Sequence, residues 1–105
     1  MHEEGLPDLH DARIGELEIN FEVRVIKIFI EYYPTLEANQ RKSAWLTFEN
    51  VDSISQIANL SQLAQNRGAG NINYWLPALS FGTTFIYLVN GCITILSSPP
   101  SLVDC

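Results

Sequence analysis

Apolar residues at Leu17, Ile19, Phe21, Val23 and Val25 alternate with Glu16, Glu18, Asn20, Glu22 and Arg24. This is the period of two of a strand with one buried face. From Ile26 the parity inverts, and Ile26, Ile28, Ile30 and Tyr32 carry the apolar series against Lys27, Phe29, Glu31 and Tyr33. A slip of one residue turns every side chain over, so a bulge or a tight turn must lie near residues 22 to 25. A hairpin is the favoured form, although no Gly or Asn-Gly marks its turn. The segment from Pro34 to Lys42 is polar, opens on a proline, and reads as a loop. Ala44, Leu46 and Phe48, alternating with Trp45, Thr47 and Glu49, give a third strand that pairs most simply with the second.

The period then changes. Ile54, Ile57, Ala58, Leu60, Leu63 and Ala64 recur at threes and fours, which predicts a helix over residues 54 to 66. Ser53 stands as its N-cap, Gln56 completes a capping box, and Gly68 is placed to stop it. An irregular aromatic segment follows, with room for a short strand from Asn71 to Trp75. Asn90-Gly91 then sits between two runs rich in β-branched and aromatic residues, a strong signal for a hairpin with a type I′ turn. The expected fold is α+β, an antiparallel sheet of about five strands with one helix, in the order β-β-β-α-β-β. Residues 1–10 are expected to form a flexible segment, 11–97 the single domain, and 98–105 a tail, because Pro99 and Pro100 interrupt a ladder.

With a two-residue turn at Asn90-Gly91, Leu88 faces Ile93 and Tyr87 faces Thr94. One side of the hairpin then holds Ile86, Leu88, Ile93 and Ile95. The other holds Phe85, Tyr87, Val89, Cys92, Thr94 and Leu96. Both are substantially apolar, so a small sheet with one helix leaves one of them to be covered. Either Tyr74, Trp75 and Leu79 fold over it, or it is a contact surface, most simply that of a homodimer.

Charge sharpens this division. From Gly68 to Val103 the chain has no Asp, Glu, Lys or Arg, so all 6 bases and all but one of the 12 acids precede it. The window from Leu76 to Leu96 is long enough for a membrane helix, but Pro77, Gly82, Asn90 and Gly91 interrupt it and no basic residue flanks it closely. The hairpin is the better reading, and no membrane association is expected. A net charge of −6 argues against nucleic acid, whose phosphates require clustered bases. The start of the chain lacks the apolar stretch of a secretory signal, which makes the cytoplasm the expected location.

Candidate chemistry is sparse. Glu16, Glu18 and Glu22 could form an acidic patch that steers a basic partner, or simply a solvated face. His10 beside Asp11 is the one acid-base pair, and capping or solvent exposure is its simpler reading. Trp45, Tyr74 and Trp75 could line a small-ligand cleft, or belong to the core. Cys92 and Cys105 show no metal spacing, and a buried or free thiol is preferred to a bridge between them. Gly68-Ala-Gly70 lacks the Lys-Ser/Thr and the strand-to-helix context of a phosphate loop. No catalytic residue, metal site or cofactor is expected.

The segments His10-Asp-Ala-Arg-Ile14, Leu46-Thr-Phe-Glu-Asn-Val51, Gly70-Asn-Ile-Asn-Tyr-Trp75 and Thr84-Phe-Ile-Tyr-Leu-Val-Asn-Gly-Cys-Ile-Thr-Ile95 together resemble small bacterial proteins of unassigned function. Proteins of this kind are carried in mobile integron gene cassettes, and the segments are also similar to small immunity proteins encoded beside secreted toxins. The resemblance covers about residues 10 to 96, and its motifs are structural, so it supplies no active site. The expected function is non-enzymatic protein binding, of immunity type, through an apolar or acidic surface, with self-association as its simplest form. A small-ligand module is the alternative, and a small enzyme a third.

Overall fold

The two opposed apolar series of the N-terminal third fold back on each other as a hairpin. In the computed structural model, which describes residues 6–35, 37–58, 71–89 and 91–105, they form β1 (Arg13–Asn20) and β2 (Val25–Tyr32). Asn20 pairs with Val25, so residues 21–24 make the turn that the parity slip requires. The Asn20 side chain builds this turn. Its Oδ1 accepts the backbone N–H of Glu22 at 3.1 Å and of Val23 at 3.3 Å, while Arg24 takes the left-handed conformation, with φ of 56°. A second irregularity lies between Ile14 and Leu17, where the register shifts by one residue.

β3 (Lys42–Phe48) pairs antiparallel with β2, as its alternation requires. No part of the expected helix is found among the described residues. Ser53–Ala58 is a strand, β4, and the rest of the predicted helix, residues 59–66, lies outside the described residues. Isoleucines three apart, at Ile54 and Ile57, favour the helical period over that of a strand, and tertiary pairing overrides this local preference. β7 (Gly91–Ser97) has an edge that β6 (Gly82–Leu88) does not satisfy, and β4 pairs along it, placing Ile54 opposite Ile95. Instead of an α+β fold with one helix, the described residues are all-β: eight strands in two antiparallel sheets.

With β5 (Ile72–Leu76) and β8 (Ser101–Asp104), the first sheet has the order β1-β2-β3-β8 and the second β4-β7-β6-β5. β5 matches the short strand allowed for in the aromatic segment. β8, within the segment expected as a tail, pairs antiparallel with β3 and sets Leu102 against the core. The prolines do not end the structure here. They carry the chain from the second sheet to the first, beside the 49–52 connection that crosses the other way. The two crossings are tied by Ser98 N–H to Glu49 O and Asp52 N–H to Leu96 O, and by Asn50 Nδ2 donating to Ser98 Oγ.

Both sheets turn apolar residues into one core. Ile26, Ile28, Ile30, Ala44, Leu46 and Phe48 come from the first sheet, and Ile72, Trp75, Ile86, Leu88, Ile93 and Ile95 from the second. This is the interdigitated interior of a β-sandwich. The N-terminal segment belongs to it as well. Leu9 and Ala12 are fully buried, Trp75 donates its indole N–H to Pro7 O, and Ile72 exchanges hydrogen bonds with Asp11 and Ala12. The second half of the segment expected to be flexible, residues 6–10, thus makes contacts with the second sheet. β1 begins beside β5 and ends beside β4, at opposite edges of the second sheet, so it crosses those strands instead of running along them.

Candidate functional site

The outer face of the second sheet is set by the parity of its strands. β6 buries Thr84, Ile86 and Leu88, and β7 buries Ile93, Ile95 and Ser97, so the intervening residues must point away from the core. Phe85, Tyr87, Val89, Cys92, Thr94 and Leu96 accordingly lie together on the outside, which is the side the hairpin analysis assigned them. The pairing itself differs from the expected one. Leu88 pairs with Gly91 and Ile86 with Ile93, so the reversal comes one residue earlier than a turn at Asn90-Gly91 would place it. Asn90 itself lies outside the described residues. The change moves each partner by two residues along its strand, and a shift of two preserves the face.

β5 extends this surface with aromatic area. Tyr74 pairs with Tyr87 and Leu76 with Phe85. The rings of Tyr74 and Tyr87 stack with centroids 4.7 Å apart, and Phe85 lies parallel to Tyr87 at 6.0 Å. Tyr74 and Leu76 are about half exposed, at 49% and 51%. Tyr74 and Leu76 thus extend the same face, on which Phe85, Tyr87, Cys92, Thr94 and Leu96 are partly buried. Trp75 turns inward beside Ile86 and is only 7% exposed, and Leu79 stands in solvent at 68%. No residue of β4, β5, β6 or β7 is charged, whereas β1, β2, β3 and β8 all carry charge.

The proposed ligand cleft is not assembled. Trp45 lies on the outer side of the first sheet, edge-on to Phe29 at 5.3 Å, Tyr74 on the outer side of the second, and Trp75 in the core between them. Of the acidic residues, Glu18, on β1 opposite Lys27, and Glu22, in the turn, line one groove, while Glu16 lies apart from it within the register shift; all three are exposed. Cys92 and Cys105 are free thiols, the first on the outer face and the second at the end of the chain.

His10 and Asp11 do lie in a cleft, of about 350 Å³, with Asp8, Tyr33, Thr35 and Ala38. His10 Nδ1 lies 2.7 Å from Asn73 O and Nε2 lies 3.6 Å from Asp11 Oδ2. The Asn73 carbonyl, and after it the Asp11 carboxylate, raise the imidazole above its usual pKa of 6.5. Arg41 closes one side, donating to Asp11 O at 3.0 Å with its guanidinium 4.6 Å from the Tyr33 ring centroid. These contacts bind the N-terminal segment to β5 and to the loop before β3. Among the described residues no glutamate lines this cleft, and no three of His, Cys, Asp and Glu gather as metal ligands.

Asn71 is the residue whose importance the sequence pattern hid. It is 1% exposed and accepts the Ile14 N–H at Oδ1, 2.9 Å away, while its backbone N–H reaches Ala12 O and its carbonyl accepts Val89 N–H. One side chain thus joins the two sheets. A polar residue just ahead of a short strand looks like ordinary loop, and only its burial separates the two.

The fold and this face define an antiparallel β-sandwich with one charged sheet and one uncharged, aromatic sheet. Compared with protein-family models, curated proteins and solved structures, the chain matches none. No helix among the described residues is long and apolar enough to cross a membrane.

Proposed function

We propose that this protein is a non-enzymatic binding protein whose contact surface is the outer face of the second sheet, and that a second copy is its first occupant. The observation that carries this reading is the Tyr74–Tyr87–Phe85 stack, with Tyr74 half exposed and the other two rings partly buried, on a sheet whose strands carry no charged residue. A chain with a net charge of −6 repels its own copies across most of its surface. The uncharged face is where two copies meet without opposing carboxylates, and an isologous pair through it is the simplest closed assembly. An immunity-type role, in which the same face receives a partner protein, fits the same chemistry.

Light scattering across a concentration series tests this. The expected result is a mass of twice the chain that reverts to a single chain in Tyr87→Lys, because a lysine in the middle of the face would be buried unpaired. A wild-type protein that stays monomeric at every concentration and binds no partner through this face overturns it.

A further inference from the structure

We infer that the free edge of β1 is a docking site for an extended, basic segment of another protein, which adds as a fifth strand to the first sheet. β1 is the terminal strand of that sheet, and from Gly15 to Asn20 its outer edge makes no hydrogen bond to any other described segment. An unpaired edge of this kind is a template for strand addition, with main-chain hydrogen bonds supplying affinity and alternate side chains supplying specificity.

The two sides of β1 say which side chains those are. Leu17 and Ile19 pair with Ile28 and Ile26, so they point to the core side of the sheet, yet they remain 37% and 41% exposed. Sheet crossing explains this, because β1 leaves the cover of the second sheet as it runs toward the turn. An apolar groove of about 230 Å³ opens there, lined by Ile19, Phe21, Val51 and Ile54 among others. On the opposite side a second groove is lined by Glu18, Glu22 and Glu49, with Lys27 the one base among its lining residues. A strand laid along β1 sends successive side chains to these two sides in turn. Its matching sequence alternates apolar residues with Lys or Arg.

A second copy is the poorer occupant of this edge. Antiparallel pairing of β1 with its own copy would bring Glu16 and Glu18 of the two chains close to one another, and like charges across a strand pair are destabilising. The edge thus differs from the uncharged face in partner chemistry as well as position.

The probe is a short peptide alternating Lys and Val, titrated into the full chain, with amide hydrogen exchange as the readout of location. Binding with new protection of the Gly15–Asn20 amides is expected. A peptide with Glu in place of Lys should bind at least about tenfold more weakly, as should one with Pro at alternate positions, which lacks the donors for a ladder. Glu18→Lys combined with Glu22→Lys, both exposed and without effect on the core, should weaken the Lys-Val peptide to a similar degree. No binding, equal binding of the three peptides, or protection confined to other strands would overturn the inference. So would protection of β1 that grows with protein concentration in the absence of peptide, which would mark a second copy as the occupant.

Discussion

Tyr74 lies on Tyr87 across the β5–β6 pair, ring centroids 4.7 Å apart and planes inclined by 25°. This contact joins the edge strand of the uncharged sheet to its interior on the exposed side. Removing either ring should cost stability, and the two losses should not add. A double-mutant cycle with Tyr74→Ala and Tyr87→Ala, followed by urea unfolding, is expected to give a coupling of about 0.5–1.5 kcal/mol.

Asn71 should behave differently, because its buried side chain is the acceptor of a part-buried backbone donor. Asn71→Ala strips the Ile14 N–H of its acceptor and is expected to lower unfolding stability by about 1–3 kcal/mol. Amide exchange at Ile14 should rise more than at Leu46, which lies in the middle of the first sheet.

The far end of the first sheet carries a chain of three groups. Tyr32 donates to Asp104 Oδ1 and Lys42 to Asp104 Oδ2, each at 2.9 Å. Burial, and then the Asp104 hydrogen bond, push the Tyr32 phenol up from 10.0 to about 12. A raised value favours the protonated phenol in the folded state, so this contribution is complete below about 10 and is lost as pH rises toward 12. Titration of tyrosine absorbance should show a late step that Tyr32→Phe removes. Asp104 shifts the opposite way, held below the usual carboxylate range by Lys42 and then Tyr32. Its contribution is present above the ordinary carboxylate value and is lost as pH falls through the lowered one. Asp104→Asn should therefore flatten the acid limb of the melting profile.

His10 is expected to titrate above 6.5 by proton NMR, because the Asn73 carbonyl and Asp11 favour the imidazolium. Its contribution to stability is complete below 6.5 and lost as pH rises through the raised value. In His10→Ala that slope should vanish, with the change in exchange concentrated at residues 71–73.

Arg24 holds a left-handed backbone while its guanidinium meets Asp52 at 2.9 Å and its carbonyl accepts the Val51 N–H. Arg24→Gly trades an exposed ion pair for relief of that conformation and should be close to neutral. Arg24→Val puts a β-branched residue at the same φ and should be less stable than the glycine variant by about 1–2 kcal/mol, measured by chemical denaturation.

Strand alternation was legible wherever one face of a strand meets the core. The parity change at Val25 and Ile26 announced the first hairpin, and the two faces of β6 and β7 followed from period alone, surviving a register different from the expected one. Local pattern misled at Ser53–Ala58, since isoleucines three apart favour a helix face, and the edge of β7 imposed a strand instead. Nor could it place Ser101–Asp104, whose preceding prolines mark a crossing between sheets as readily as an end. Trp45, Tyr74 and Trp75 failed to converge for the same reason. Their sequence positions specify sides of strands, and only the packing of the two sheets sets which side becomes core.

The sequence by itself thus determined the faces, because side-chain direction in a strand is a local property of the backbone with a fixed period. It also confined charge almost wholly to the first 67 residues, and so left β5, β6 and β7 without a charged side chain. Tertiary structure decided which strands become neighbours, where β1 runs out from under the second sheet, and which polar residue is sealed between them. Those outcomes depend on hydrogen-bonding edges and apolar areas distant in sequence, whose combined free energy outweighs the small local preference of any one segment.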